Sequence, residues 1–390
     1  LLVHLDLEHV HFDRPWEPVR DQERSRRLQL PVIEALQAIL DEYRVPRLRL
    51  LTGRGQHIVW RLDRSSRAVS ALAWLGNPGR RLRELYRVRR PPADRAVGEW
   101  LGAAHDGLGK VLEHLGHRLL ERCDALPVPV QLTAVTVGPG PWGREIVSFD
   151  LSQFGDPLYC RSARMPFTVY RKNLGARVQG GRRESPFIVV PVIEGDERRS
   201  LEATVSFEAA GELARSTPVR IPEASLETEG LIVDYFESDL CRFHQDFDAA
   251  RPEPPERWKD SYDRLELDTL PGCVARMLGN PNDLLLQPAG IQHLVRSLTA
   301  LGWEPRHVAG LLRSKYERDH GWIPGVHFYE PGIRADFYTR LFAGLAATGR
   351  DPLTDFNCRS ADEKWLCARG VCAWDLRELR DRLMGGGVTA

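Results

Sequence analysis

Lysine is nearly missing from this chain. Of its 390 residues 54 are Lys or Arg, yet only Lys110, Lys172, Lys259, Lys315 and Lys364 are lysines. Net charge is missing too, because 54 acidic residues balance the 54 basic ones. That excludes a polybasic arm protein, whose hold on nucleic acid shows as net charge. No run of 18 apolar residues occurs, so no membrane partner is expected. Cysteine is scarce and odd in number, at seven, with no small-domain disulfide spacing. Without a signal peptide, this reads as a protein of the reducing cytoplasm, where clustered Cys more often serve metals or catalysis. The chain opens at Leu1, without Met, inside what reads as a buried strand. A preceding segment is therefore expected.

The length predicts two or three domains. Residues 1–8 alternate apolar and polar and read as a strand, and 28–43 carry apolar positions at helical spacing. Val45-Pro46 stops that helix. Residues 47–51 and 57–62 read as strands around the turn Thr52-Gly53-Arg54-Gly55. The stretch 65–123 reads as mostly helical, and further strands are predicted at 145–150, 166–170 and 186–193. Residues 223–256 hold ten acids against Arg242 and Arg251 and end in Pro-rich sequence. They read as an acidic connector with one helix, able to keep two halves apart. From Leu265 onward the pattern is mainly helical.

Three groups of residues carry chemistry. Asp6 and Glu8 stand two apart on the first strand, so both side chains share one face, opposite Leu5 and Leu7. Two carboxylates on one face repel unless a cation lies between them, and oxygen ligands suit Mg²⁺ or Mn²⁺. Asp150 ends a second apolar strand. Three acids from two strands suit the two ions of an in-line phosphoryl transfer. The hairpin Thr52-Gly53-Arg54-Gly55-Gln56-His57 offers a hydroxyl, a guanidinium, backbone N–H groups and an imidazole to phosphates, although an ordinary turn reads the same way. Arg164 and Lys172 bracket a third segment, 14 and 22 residues after Asp150. Lys is a compact point charge suited to a triphosphate.

The order of these pieces resembles the archaeo-eukaryotic primase superfamily, which includes primase small subunits and primase-polymerases. The shared pattern is an acid pair on strand one, an [ST]-G-x-G-x-H hairpin, a later hhD and an R-x-P-x-[ST]-x-x-x-K element. The resemblance covers roughly residues 1–195. It implies that Asp6, Glu8 and Asp150 bind divalent metals, and that Thr52, His57, Arg164 and Lys172 hold the nucleotide; the hairpin's own chemistry adds Arg54 to the nucleotide-binding set. Asp156 matches a further Asp common in the family. Glu8 stands where Asp is more usual, Thr52 where Ser is, and Phe167 where the family keeps Gly. No clear zinc knob is present; the nearest candidate is His105, His114, His117 and Cys123.

Cys358, Cys367 and Cys372 fall within 15 residues, and Cys273 opens an apparent helix after Pro271-Gly272. Four thiolates suit Zn²⁺ or a [4Fe–4S] cluster, and spacing alone does not choose. Over residues 263–375 this arrangement resembles the iron–sulfur domain of primase large subunits. The resemblance implies a [4Fe–4S] cluster on those four Cys, with Zn²⁺ as the alternative. The segment Arg80–Arg95, with seven Arg and interleaved Leu82, Tyr86 and Val88, is a candidate track for a DNA backbone.

The expectation is thus an α+β protein. An RRM-like palm catalytic domain spans 1–215, an acidic connector 216–262, and a mainly α-helical iron–sulfur domain 263–390. The expected activity is primer synthesis: template-directed nucleotidyl transfer on single-stranded DNA from NTP or dNTP, alongside a helicase or other replication proteins. The alternatives are a non-catalytic replication-initiation protein that keeps the fold, and a gap-filling repair polymerase.

Overall fold

The computed structural model describes residues 1–88, 97–137, 144–155, 157, 164–170, 187–281, 285, 287–318, 331–367 and 372–385. The class is α+β, with one six-stranded sheet. Its strands are β1 (Leu2–His11), β2 (Leu48–Leu51), β3 (Gly55–Arg61), β4 (Val130–Leu132), β5 (Glu145–Phe149) and β6 (Val190–Pro191). They lie in the order β4-β5-β1-β3-β2-β6, with β4 and β5 parallel and the other neighbours antiparallel. The first half also holds α1 (Glu17–Arg20), α2 (Gln22–Glu42), α3 (Arg67–Leu75), α4 (Arg80–Tyr86), α5 (Glu99–Cys123), α6 (Glu197–Val205) and α7 (Phe207–Ser216). The second half is α8 (Ser225–Glu237), α9 (Asp239–Ala249), α10 (Gly272–Gly279), α11 (Pro288–Ala300), α12 (Pro305–Tyr316), α13 (Pro331–Ala347), α14 (Cys358–Glu363) and α15 (Leu376–Gly385). No helix among the described residues is long and apolar enough to cross a membrane.

The period of β1 decides what the sheet does. Val3, Leu5, Leu7 and His9 are buried, while His4, Asp6, Glu8 and Val10 stay partly open. The buried row joins Ile58, Trp60, Val147 and Phe149 in a core with Val32, Ile33 and Leu36 of α2 and Val111, Leu112 and Leu115 of α5. One face of the sheet is thereby committed to helices, and the other is left for the acids.

Several elements differ from the sequence reading, each for a physical reason. Helix α2 begins at Gln22 rather than Leu28. Asp21 caps it by accepting a hydrogen bond from the Arg24 backbone N–H at 2.9 Å. Pro31 fits the first turn of the shorter helix, yet it lies in the interior of the real one. The lost backbone bond is outweighed by the apolar face just beyond it. Strand β4 was not expected, since three residues beside Pro127 and Pro129 give no readable alternation. The strands read at 166–170 and 186–193 reduce to an isolated bridge between Val169 and Ile188 and to the two residues of β6.

The largest difference is the acidic stretch. It forms two helices, α8 and α9, which bury Leu231, Ile232, Tyr235, Leu240, Cys241 and Phe247. Trp60 of β3 donates its indole N–H to the Thr228 hydroxyl at 3.1 Å. The acids occupy the outer face, which is why composition alone reads as a solvated connector. Far from holding two halves apart, these helices help join them. One apolar cluster runs from Val3 to Leu379. Buried charges cross it as well. Glu113 of α5 accepts from Arg340 Nε of α13 at 3.1 Å and lies 3.0 Å from His244 Nε2 of α9. Lys110 of α5 pairs with Asp248 at 2.5 Å and donates to the Leu75 carbonyl at 2.9 Å.

Two buried histidines make this core sensitive to acid. His9 Nδ1 lies 3.1 Å from the Ser25 hydroxyl, and His117 Nδ1 lies 3.1 Å from that of Thr348. Burial pushes His9 down to about 4 and His117 to about 3, with Glu145 and Glu113 respectively opposing the shift. A lowered His pKa means that the unfolded chain binds the proton first as pH falls. Stability is therefore full above the ordinary His pKa of about 6.5 and is lost steadily below it. Each group should cost roughly 2 kcal/mol by about pH 5 relative to about pH 8. Thermal unfolding between those values checks this, and a flat Tm would contradict it.

Candidate active site

The sheet register builds the site. Asp6 pairs with His57 across β1 and β3, and Leu7 pairs with Phe149 across β1 and β5. Asp150 directly follows Phe149, and its N–H donates to the Asp6 carbonyl at 2.9 Å. Residues directly opposite share a face. Asp150, Asp6 and His57 therefore form one row across three strands. Glu8 is the next position on that face, opposite Gly55 and Ser148. Thr52 has the same parity, since Leu50 pairs with His57 and the Thr52 N–H donates to the Gly55 carbonyl at 2.9 Å.

The side chains are held from several directions. His57 Nε2 lies 3.4 Å from Asp6 Oδ1, and the His4 ring meets His57 edge-on with centroids 4.4 Å apart. Asp150 Oδ1 accepts the Ser152 N–H at 2.8 Å. Gln153 donates to the His4 carbonyl at 2.9 Å, tying the segment after Asp150 to β1. Like charges directly opposite across an antiparallel pair are unfavourable. With Glu8 beside them, Asp6 and Asp150 fit a hard divalent cation with oxygen ligands. Among the described residues no three His, Cys, Asp or Glu side chains already stand around a cation position. The carboxylates would have to turn inward to hold one.

The hairpin tip is fixed by backbone contacts. A Cβ on Gly55 would stand 1.7 Å from the Leu7 carbonyl oxygen, so only glycine fits there. The Arg54 carbonyl accepts from His9 N–H at 3.2 Å and from Gln29 Nε2 at 3.0 Å. The Arg54 guanidinium lies 5.9 Å from the exposed Trp16 ring. The Thr52 hydroxyl and His57 Nδ1 are buried, and neither has a hydrogen-bond partner among the described residues.

Residues 164–170 close the other side. Phe167 N–H donates to the Val189 carbonyl at 2.6 Å, and Tyr170 N–H to that of Phe187 at 2.7 Å. Arg164 lies over the Tyr170 ring at 4.2 Å. Burial raises the Tyr170 phenol above its usual range; Glu8 and Asp6 push the same way, while Arg164 and Arg54 oppose them. All four charges therefore act on one hydroxyl. Phe167 has φ +62°, the left-handed region that favours glycine. Holding a non-glycine residue there costs about 1–3 kcal/mol of strain.

The structure thus brings together Asp6, Glu8, Asp150, Thr52, Arg54, His57 and Arg164. Lys172 and Asp156 lie outside the described residues. Sequence reasoning missed His4 and Tyr170. His4 was marked by the same period of two that joined Asp6 to Glu8. Tyr170 was visible two positions before Lys172, but nothing local set it apart from a core aromatic.

The other candidate groups fall elsewhere. His114 contacts Asp234 at 3.0 Å, His117 contacts Thr348, and His105 stacks on Phe154 at 4.7 Å. These histidines are engaged separately and do not form a zinc knob with Cys123. In the basic segment, Leu82 and Tyr86 are buried, Arg80 pairs with Glu84 at 3.0 Å and Arg87 with Glu99 at 2.6 Å. Residues 89–96 of that segment lie outside the described residues.

Near the C-terminus, Cys273 in α10 is buried, and its thiol lies 3.0 Å from His293 Nε2. A Cβ on the neighbouring Gly272 would meet the Cys372 sulfur at 3.5 Å. Arg276 of α10 donates to the Cys367 carbonyl at 2.7 Å. Burial pushes the Cys273 thiol up to about 12, and the thiols of Cys367 and Cys372 add to the shift. Cys273 therefore feels two of the other three cysteines. Cys358 is exposed at the start of α14.

Comparison of the chain with protein-family models, curated proteins and solved structures returns no match.

Proposed function

We propose that the protein is a template-directed nucleotidyltransferase that makes primers on single-stranded DNA by two-metal phosphoryl transfer. The observation that carries the proposal is the meeting of Asp6, Glu8, Asp150 and His57 on one sheet face. Asp6, Glu8 and Asp150 would hold Mg²⁺ or Mn²⁺. Such ions lower the pKa of an attacking hydroxyl and stabilise the leaving pyrophosphate. Thr52, His57, Arg54 and Arg164 line the adjoining wall and would grip the triphosphate, with Lys172 assigned there by the motif. Fixed donors aimed at developing charge are the main contribution that protein side chains make to this chemistry. A palm of the RRM-like kind is the natural reading of this sheet, with helices behind and acids in front.

The Cys273, Cys358, Cys367 and Cys372 thiols are proposed to hold a [4Fe–4S] cluster, with Zn²⁺ as the alternative. A buried thiol such as Cys273 gains a favourable charge partner when a bound cation makes it a thiolate. Protein purified without oxygen should contain iron and show a visible charge-transfer band, and Cys273→Ser should lose both. Zinc in place of iron would select the alternative.

Replacing Asp6 and Glu8 by Ala and assaying primer synthesis on single-stranded DNA tests the catalytic assignment. Retained synthesis would overturn it. The non-catalytic initiation reading predicts no synthesis by the unaltered protein.

A further inference from the structure

We infer that Tyr170 is a phosphate-binding residue of this site, donating its hydroxyl to the polyphosphate of the incoming nucleotide. The inference rests on the nucleotidyl-transfer reading and adds a contact that the motif resemblance does not assign.

Tyr170 is fully buried, yet its hydroxyl has no hydrogen-bond partner among the described residues. A buried phenol of this kind almost always finds an acceptor. Here the ring is fixed without one. Arg164 covers one part of it at 4.2 Å. A Cβ on Gly53 of the hairpin would come within 2.5 Å of the ring, so the absence of a side chain at Gly53 is what lets the two segments close. The hydroxyl lies in the combined field of Arg54 and Arg164 on one side and Asp6 and Glu8 on the other. Thr52 adds a second buried hydroxyl without a partner, and His57 a ring nitrogen in the same state.

Two buried hydroxyls without a partner next to two guanidinium groups call for an anion with several acceptor oxygens. A polyphosphate bridged to the carboxylates by a divalent cation has that chemistry. A base or a sugar would not satisfy so many donors at once. Recognition should therefore depend on the phosphates and be indifferent to the base.

The test compares the full-length protein with Tyr170→Phe, which removes the hydroxyl and keeps the ring. Inorganic tripolyphosphate with Mn²⁺ is the probe, followed by each of the four nucleotides. The unaltered protein should bind tripolyphosphate, and Tyr170→Phe should bind it roughly tenfold more weakly, the loss of one hydrogen bond to a charged group. KM for all four nucleotides should rise by the same factor, with kcat changed less than about twofold. The thermal midpoint should not move, because Phe retains the packing against Gly53 and Arg164. Equal binding by the two proteins would overturn the role of Tyr170 and leave nucleotidyl transfer standing. If the unaltered protein bound neither tripolyphosphate nor nucleotide, the functional reading itself would fall. A kcat loss at constant KM would also contradict a phosphate-binding role.

Discussion

Asp6→Ala combined with Glu8→Ala is expected to lower nucleotide incorporation on the order of 10³-fold or more, about 4 kcal/mol of transition-state stabilisation. The protein should nonetheless fold as well as before. Asp6 and Asp150 stand opposite each other on adjacent strands, and Glu8 follows on the same face. Removing charges from that row relieves repulsion of about 0.2–1 kcal/mol per close pair. The variant also gives up the 3.4 Å approach of His57 to Asp6. Metal-free thermal midpoints should thus be equal or slightly higher in the variant. Mn²⁺ should then raise the midpoint of the unaltered protein, by mass action on the folded state, and leave the variant unmoved. The metal shift separates a lost cation site from a damaged fold, because it reads binding without reading activity.

Arg340→Met should destabilise the whole chain by about 3–5 kcal/mol, the usual cost of stranding one partner of a buried ion pair. Arg340 is nearly inaccessible and binds Glu113, which is fully buried and held down to about 2 against its burial by Arg340 and His244. With Arg340 gone, Glu113 keeps only His244, itself lowered by burial. The effect should be global, since the pair joins α5 of the N-terminal half to α13 of the C-terminal half. A thermal midpoint lower by about 4–6 °C is the expected reading. A change under about 1 kcal/mol would mean that the halves are held by apolar contact alone.

The same residues show what the sequence could and could not disclose. Asp6, Glu8, Asp150 and His57 were legible because a strand has a period of two. The turn Thr52 to Gly55 sets β2 against β3, and the separate register of β1 on β3 puts Asp6 opposite His57. Long-range charge pairing has no such rule. Lys110, Glu113 and His117 read as polar positions on an amphipathic helix, yet all three are buried against partners from the C-terminal half. The lysines illustrate this. Lys172 was the one that a motif marked, while Lys110 and Lys364 turn out to hold Asp248 and Asp355 inside the fold. The acidic stretch misled for the opposite reason. Its charges are conspicuous in composition, whereas Leu231, Tyr235 and Phe247, which fix its place, are spaced along two helices that a count of acids does not reveal.

Phe167 lies between these cases. The sequence showed a departure from the family's glycine, and only the backbone shows that the departure leaves φ at +62°. The strained residue sits beside Arg164 and Tyr170.

The central claim is that the acid face of the sheet transfers nucleotides. Its most direct test is incorporation of labelled nucleotide by the unaltered full-length protein on single-stranded DNA, with Mn²⁺ and no added primer. The predicted result is a ladder of short products that needs template and metal and disappears with Asp6→Ala/Glu8→Ala. No incorporation under any template, nucleotide or metal, or products that persist in the double variant, would contradict the account.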